Sequence, residues 1–364
     1  MDSKKYEYWF LSNPEVTYGK KEKLYEHFKS AYNIFYATEA ELKASNEFNK
    51  DSLYTFIKMR DKVNLDRLYE EFTQTPFKFV TKEDEAFPER LINIANSPYG
   101  LFYLGELKDL KKTVSIVGAR MCSAYGKKMA ISLSKALAEN GYTVISGMAK
   151  GIDSYAHRGC LDGGGKTIAV LGNGVDVVYP KENRLLYEEI AKNGAIVSEY
   201  PLGSVALPRN FPLRNRIISA LSQKVIVVEA KLKSGSLITA DYALEQGKDI
   251  YVVPGRVGDS LSAGCNKLAT QGAGIIVDVE SFINDLNDFS SEEAYEVTPK
   301  ENPKFTIDKE QLMVYSFFDL YPKSITEVQL ESKMDFIYLL GQVMTLVSKG
   351  LLKEVFKGYF IICG

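Results

Sequence analysis

The stretch Pro208-Arg-Asn-Phe-Pro-Leu-Arg-Asn-Arg216 gathers the side chains best suited to hold a polyanion. Between Pro208 and Lys233 stand Arg209, Arg214, Arg216, Lys224, Lys231 and Lys233, against one acid, Glu229. A guanidinium offers a planar fork of donors that matches a phosphate. Phe211 lies between Arg209 and Arg214, so a base could stack on the ring while the flanking cations hold its phosphates. Only an unpaired base offers a free face, which favours a single strand over a duplex. Asn215, a short amide between two arginines, can hydrogen-bond a loop or a base edge. The sequence pattern places this basic excess on loops.

Such residues need a scaffold, and the chain supplies one from Thr113 onward. Val114–Val117, Thr143–Ile145, Thr167–Leu171, Ala195–Val197, Lys224–Val228, Ile250–Val253 and Ile275–Val277 are short runs, apolar on nearly every position. Runs of that kind belong to a parallel sheet covered on both faces. Helical stretches such as Lys127–Asn140 and Leu237–Gln246 alternate with them. The predicted fold class is therefore α/β, a Rossmann-like doubly wound, mostly parallel sheet.

In such sheets ligands bind beyond the carboxyl ends of the strands. The loops there are rich in small residues: Gly118-Ala-Arg120, then Ser146-Gly147 running to Lys150 and Asp153, then Gly172-Asn-Gly174, and finally Glu229 through Lys233, Ser234, Gly235 and Ser236. A glycine alone serves a tight turn. Several such loops in one domain, with Arg120, Lys150 and Lys233 placed beside them, describe an anion site built from backbone N–H groups and helix N-termini. The candidate contacts from this pattern are Gly118, Arg120, Ser146, Gly147, Lys150, Arg209, Phe211, Arg214, Asn215, Arg216, Lys233, Ser234, Gly235 and Ser236.

The remaining chain divides around this domain. Residues 1–85 show apolar residues at three-to-four spacing, as in Leu53-Tyr54-Phe56-Ile57, and read as a small helical N-terminal domain. Residues 86–112 are a connector, 113–282 the Rossmann-like domain, and 283–304, rich in Asn, Asp, Ser and Glu, a linker. From 305 to 364, three helical patterns precede Leu351–Phe356 and Tyr359–Ile362, two runs around a Lys357-Gly358 turn. That order suggests a winged-helix-like domain, and the third pattern, Asp335–Lys349, carries few of the cations a DNA-reading helix needs. It suits a protein-interaction role better.

Composition narrows the function. With 45% apolar and 25% charged residues the chain is of the soluble globular kind, and a net charge of −2 means any nucleic-acid contact is a local patch. The polar N-terminus and the lack of any run of about twenty apolar residues predict a cytoplasmic protein with no membrane segment. Cys122, Cys160, Cys265 and Cys363 are too scattered for zinc or a disulfide framework. Gly118-Ala-Arg120 is not a G-x-G-x-x-G turn, and Gly163-Gly-Gly165-Lys-Thr167 precedes a strand, so neither a dinucleotide nor an ATP site is expected and no cofactor is predicted. Asp153 and His157 share a helical face without a nucleophile beside them, and are read as a capping acid and a partly buried histidine.

The residues of the middle domain resemble the DNA-processing protein A family (DprA, also called Smf). The matching pieces are Val117-Gly-Ala-Arg120, Ser146-Gly-Met-Ala-Lys-Gly-Ile-Asp153, Gly172-Asn-Gly-Val-Asp176 with Tyr179-Pro180, Phe211-Pro-Leu-Arg-Asn-Arg-Ile-Ile218, Ser234-Gly-Ser-Leu-Ile-Thr-Ala240 and Val253-Pro-Gly255, in the family's order. The resemblance implies a non-enzymatic protein that binds and protects incoming single-stranded DNA in natural transformation, helps load the RecA recombinase, and pairs as a homodimer through the Rossmann-like domain. It also implies a DNA pocket lined by Arg120, Ser146, Gly147, Arg209, Phe211, Arg214, Asn215, Arg216, Lys233, Ser234 and Gly235. The alternative is an enzyme of the nucleotide phosphoribohydrolase kind, whose P-G-G-x-G-T-x-x-E motif is not matched by Lys231-Leu-Lys-Ser-Gly-Ser-Leu-Ile-Thr-Ala-Asp241.

Overall fold

The computed structural model describes residues 3–107, 110–292, 308–318, 323–356 and 358–362. The described residues up to Glu292 form one compact unit, and those beyond it a second.

In the first unit the parallel strands form as the apolar runs demand. They are β3 (Thr113–Val117), β4 (Thr143–Ser146), β5 (Thr167–Val170), β6 (Gly194–Ser198), β7 (Lys224–Val227), β8 (Asp249–Val252) and β9 (Gly274–Ile275). Two earlier strands, β1 (Lys78–Thr81) and β2 (Gly100–Gly105), extend the sheet antiparallel beside β6, giving the order β1-β2-β6-β5-β4-β3-β7-β8-β9. The segment read as a connector thus contributes β2 to the main sheet. Strand order reverses between β3 and β7, both parallel, which opens the crevice at their carboxyl ends. Every residue of β3, β4, β5 and β6 is buried, as a sheet covered on both faces requires.

The covering helices are α7 (Ala124–Glu139), α8 (Ile152–Asp162), α9 (Arg184–Asn193), α10 (Asn210–Leu221), α11 (Gly235–Glu245), α12 (Ala263–Thr270) and α13 (Val279–Glu292). Two of these correct the sequence reading. The basic stretch expected on loops forms the first turns of α10. Pro212 is compatible with that, because it stands among the first helical residues, whose N–H groups have no partner inside a helix. The acidic segment expected as a linker from residue 283 is helical through Glu292. Phe282, Ile283 and Leu286 bury one stripe of α13 against the α7 side of the sheet, and the Tyr142 hydroxyl donates to the Leu286 carbonyl at 3.1 Å. Packing overrides the polar composition. Residues 293–304 of that expected linker lie outside the described residues.

Before the sheet come six helices, α1 (Lys4–Ser12), α2 (Tyr18–Phe28), α3 (Ala31–Tyr36), α4 (Glu39–Ala44), α5 (Lys50–Lys62) and α6 (Leu65–Thr73). Trp9, Phe10, Leu24, Ile34, Leu42 and Phe56 fill their centre. This core is continuous with one face of the sheet: Tyr8 stacks on Phe72 at 4.3 Å and meets Phe102 of β2 edge-on at 6.2 Å.

The second unit holds α14 (Lys309–Tyr315), β10 (Lys323–Ser324), α15 (Ile325–Ser332), α16 (Phe336–Ser348), β11 (Leu352–Phe356) and β12 (Tyr359–Ile362), with sheet order β10-β12-β11. Val314, Val328, Leu339, Val343, Leu346 and Phe360 form its core. Three helices and a small antiparallel sheet in this order are the elements of a winged helix. Lys357, half of the expected hairpin turn, and Cys363 lie outside the described residues.

Candidate nucleic-acid interface

A cleft of about 270 Å³ lies at the carboxyl ends of β3 and β4, bounded by the start of α10 and the N-terminus of α11. Gly118, Arg120, Phe211, Arg214, Asn215, Ser234, Gly235 and Ser236 from the sequence pattern all line it. Residues up to 118 positions apart in the chain therefore converge.

Phe211 is half-buried at the mouth. Its ring stacks on Tyr179 (centroids 5.5 Å apart, planes at 27°) and carries the Arg120 guanidinium 5.5 Å above its centroid. Arg120 is exposed, and a cation over a ring face is attracted by the ring's quadrupole. The three groups make one aromatic and cationic stack. Tyr179 was not singled out as a site residue, since nothing in spacing links it to Phe211. Its position in a loop following a strand was the available signal.

Arg214 forms the floor. It is 4% exposed and donates through Nη1 to the Gly147 carbonyl at 2.7 Å and also to the Val170 carbonyl. Burial pushes its pKa down to about 10, with the Arg120 charge acting in the same direction and Asp153 opposing both. The guanidinium is still charged at neutral pH. Gly147 serves this arrangement: a Cβ there would sit 2.5 Å from the Arg214 guanidinium. Asp153 is buried in the cleft wall, and burial raises its pKa while Arg214 lowers it. It stands inside α8, whose N-cap is Gly151, so it is a charge partner in the cleft and not the cap expected from sequence.

Asn215 joins the two walls. Its Oδ1 accepts from Arg214 Nε at 3.2 Å, and its Nδ2 donates to the Gly235 carbonyl at 3.2 Å. At the start of α11, Ser234 is the N-cap and Ser236 Oγ lies 2.8 Å from Ser234 Oγ. Gly235 is exposed with open space around it, and Lys233 is exposed beside it. Ser236 N–H is directed to the Ser234 Oγ at 3.4 Å and Leu237 N–H to the Ser234 carbonyl at 3.1 Å, so the N-terminus of α11 offers the cleft the positive end of its dipole beside Lys233. The N-terminus of α7 differs, because the buried Glu229 carboxylate already accepts from Ser123 N at 2.9 Å and from Ser123 Oγ.

Other candidates lie elsewhere. Arg216 is 1% exposed and held by Glu199 through two bonds of 2.7 Å, with Nε donating to the Asn96 carbonyl at 2.8 Å. Two residues apart on a helix means roughly opposite faces, so Arg214 enters the cleft and Arg216 turns away from it. Ser146 is fully buried, its Oγ donating to the Ile116 carbonyl at 2.6 Å as a tie between β4 and β3. Lys150 is exposed and pairs with Glu182 at 2.7 Å. Lys224, at the start of β7, pairs with Asp249 at 2.7 Å, at the end of the sheet away from the cleft. Arg209 is exposed but lines a different cavity. His157 is fully buried, with Nδ1 2.7 Å from Thr167 Oγ1, and burial brings its pKa down to about 3.

Among the described residues no cluster of His, Cys, Asp or Glu could hold a metal ion, and no helix is long and apolar enough to cross a membrane.

Residues 78–287 match the family model described as DNA recombination-mediator protein A. The chain is 39% identical over 269 residues to the protein Smf of Synechocystis sp., covering 72% of this chain and 68% of that protein. It is 46% identical over 194 residues to the DNA processing protein DprA of Streptococcus pneumoniae, covering 53% and 68%. The X-ray structure of the pneumococcal protein superposes with a TM-score of 0.68 at 36% identity, covering 77% of this chain and 97% of that one. The DNA processing protein A of Helicobacter pylori, described for its single-stranded DNA binding mode, gives 0.54 at 35% identity over 58% of this chain and 97% of that one. The match spans β1 to α13 and so contains the whole cleft, and the chain belongs to the DNA recombination-mediator protein A family.

Proposed function

We propose that the cleft binds single-stranded DNA, with an unpaired base on the Phe211–Tyr179 surface and flanking phosphates held by Arg120, Lys233 and the N-terminus of α11. One observation carries this reading: the exposed Arg120 guanidinium lies over the Phe211 ring in a cleft that the buried Arg214 also lines. Base stacking and phosphate neutralisation are thereby offered at a single point, and a paired base could not use it. The relatedness to proteins named for DNA processing, one of them described for binding single strands, supports the same reading. The wider role follows from it: a non-enzymatic protein of natural transformation in the cytoplasm, which shields the incoming strand, passes it to RecA, and works as a homodimer through the Rossmann-like domain. Gly118, Gly147 and Asn215 act by shaping the cleft, while Arg216 and Ser146 act on the fold.

The test is Phe211→Ala, followed by fluorescence anisotropy with a labelled single-stranded oligonucleotide. Stacking on one aromatic predicts a loss of about 1–3 kcal/mol in affinity with an unchanged salt slope. A variant that loses thermal stability but not affinity shows the ring to be core. Turnover of nucleoside monophosphates by the same preparation, lost on Arg120→Ala, would transfer the cleft to the enzyme reading.

A further inference from the structure

A second and larger cavity, about 810 Å³, lies on the other side of the start of α10. Leu11, Val16 and Tyr99 from the N-terminal part of the unit face Leu202, Leu207 and Leu213 across it. Its volume is in the range of small-molecule sites. Lys21, only 6% exposed, lies in its wall. Among the described residues its ammonium has one acceptor, the Leu11 carbonyl, whereas an ammonium has three donors. The nearby carboxylate, Glu199, is already held by Arg216. Burial without a carboxylate of its own pushes the Lys21 pKa down to about 7, with Glu199 opposing. A buried cation in an apolar chamber is costly unless an anion meets it. The exposed Arg209 stands on the facing wall, and the chain alternates as it enters α10: Pro208, Phe211, Pro212 and Arg214 line the DNA cleft, while Arg209, Asn210 and Leu213 line this cavity.

We infer that this cavity is a nucleotide site, taking a nucleobase against its apolar wall and a phosphate between Lys21 and Arg209. The inference rests on the strand-binding reading of the neighbouring cleft for its choice of ligand. The nucleotide has two sources, a free mononucleotide or a residue of the bound strand that crosses the start of α10.

The experiment uses the full chain carrying Arg120→Ala and Phe211→Ala, so that the cleft is disabled, and titrates dAMP, adenosine and inorganic phosphate by calorimetry, with and without Lys21→Met. The expected result is dAMP binding at least about tenfold tighter than adenosine or phosphate, reduced at least about tenfold by Lys21→Met. Unfolding is followed in parallel, and Lys21→Met is expected to keep or raise Tm, because an apolar chain of similar length replaces a buried charge. A lower Tm with dAMP binding untouched makes Lys21 purely structural and overturns the inference, as does absence of dAMP binding. Where dAMP binds, repetition on the wild-type chain saturated with oligothymidylate separates the sources: blocked dAMP assigns the site to the strand, retained dAMP to a free nucleotide. If the cleft variants bind oligonucleotide as the wild type does, the cleft reading fails, whatever Lys21 does.

Discussion

At the scale of single residues, the contrast between Arg214 and Arg216 organises the site. Both look alike in sequence, and the basic run read as a loop made them equivalent. Helical geometry separates them, and no spacing rule could show that Glu199 waits for Arg216 on the far side. Replacing Arg216 by Ala leaves a buried carboxylate alone, which costs about 3–5 kcal/mol; Tm should fall sharply while the salt slope of DNA binding in the surviving folded protein stays the same. Arg120→Ala should do the reverse, keeping Tm and reducing the slope of log affinity against log salt by about 0.7, as expected for one phosphate contact on a single strand. His157 supplies a pH test. Burial lowers its pKa from the ordinary 6.5 to about 3, with Arg214 contributing in the same direction, so the unfolded chain binds its proton first. Stability from this group is complete above pH 6.5 and is lost as pH falls toward 3. Denaturant midpoints of His157→Gln should show a shallower decline than wild type across that window.

At the scale of elements, the sheet was legible because strands buried on both faces must be largely apolar, and seven runs had that composition, four of them becoming the strands β3 to β6 that are buried at every residue. The boundaries that sequence missed have different causes. Pro212 reads as a loop signal but sits in the first turn of α10, where no N–H partner is needed, whereas the polar string in α13 is held helical by the buried Phe282–Leu286 stripe. The cleft was legible in its glycines and cations, though the packing they serve was not: Gly147 makes room for the Arg214 guanidinium. Gly147→Ala should therefore displace Arg214 from the floor. Overpacking of this kind costs about 1–3 kcal/mol in stability, and oligonucleotide affinity should drop by roughly tenfold or more in an anisotropy titration. Unchanged affinity would mean that Arg214 contributes nothing to the ligand.

At the scale of the whole molecule, a chain with net charge −2 binds a polyanion only where the fold concentrates charge. The doubly wound sheet does so at its switch point, where loops from β3 and β4 meet the N-terminal ends of α10 and α11. The winged-helix-like unit has no cation on α16, so the salt dependence of binding is expected to come from the first unit. Three cations stand in or beside the cleft, Arg120, Arg214 and Lys233, and at about 0.7 counterion per contact they predict a slope of about −2 for single strands. The most direct measurement is an anisotropy titration of one labelled sequence, as single strand and as duplex, across a salt series. The account predicts tighter single-strand binding at every salt concentration, with that slope. Equal affinity for the duplex, or a slope close to zero, would contradict it.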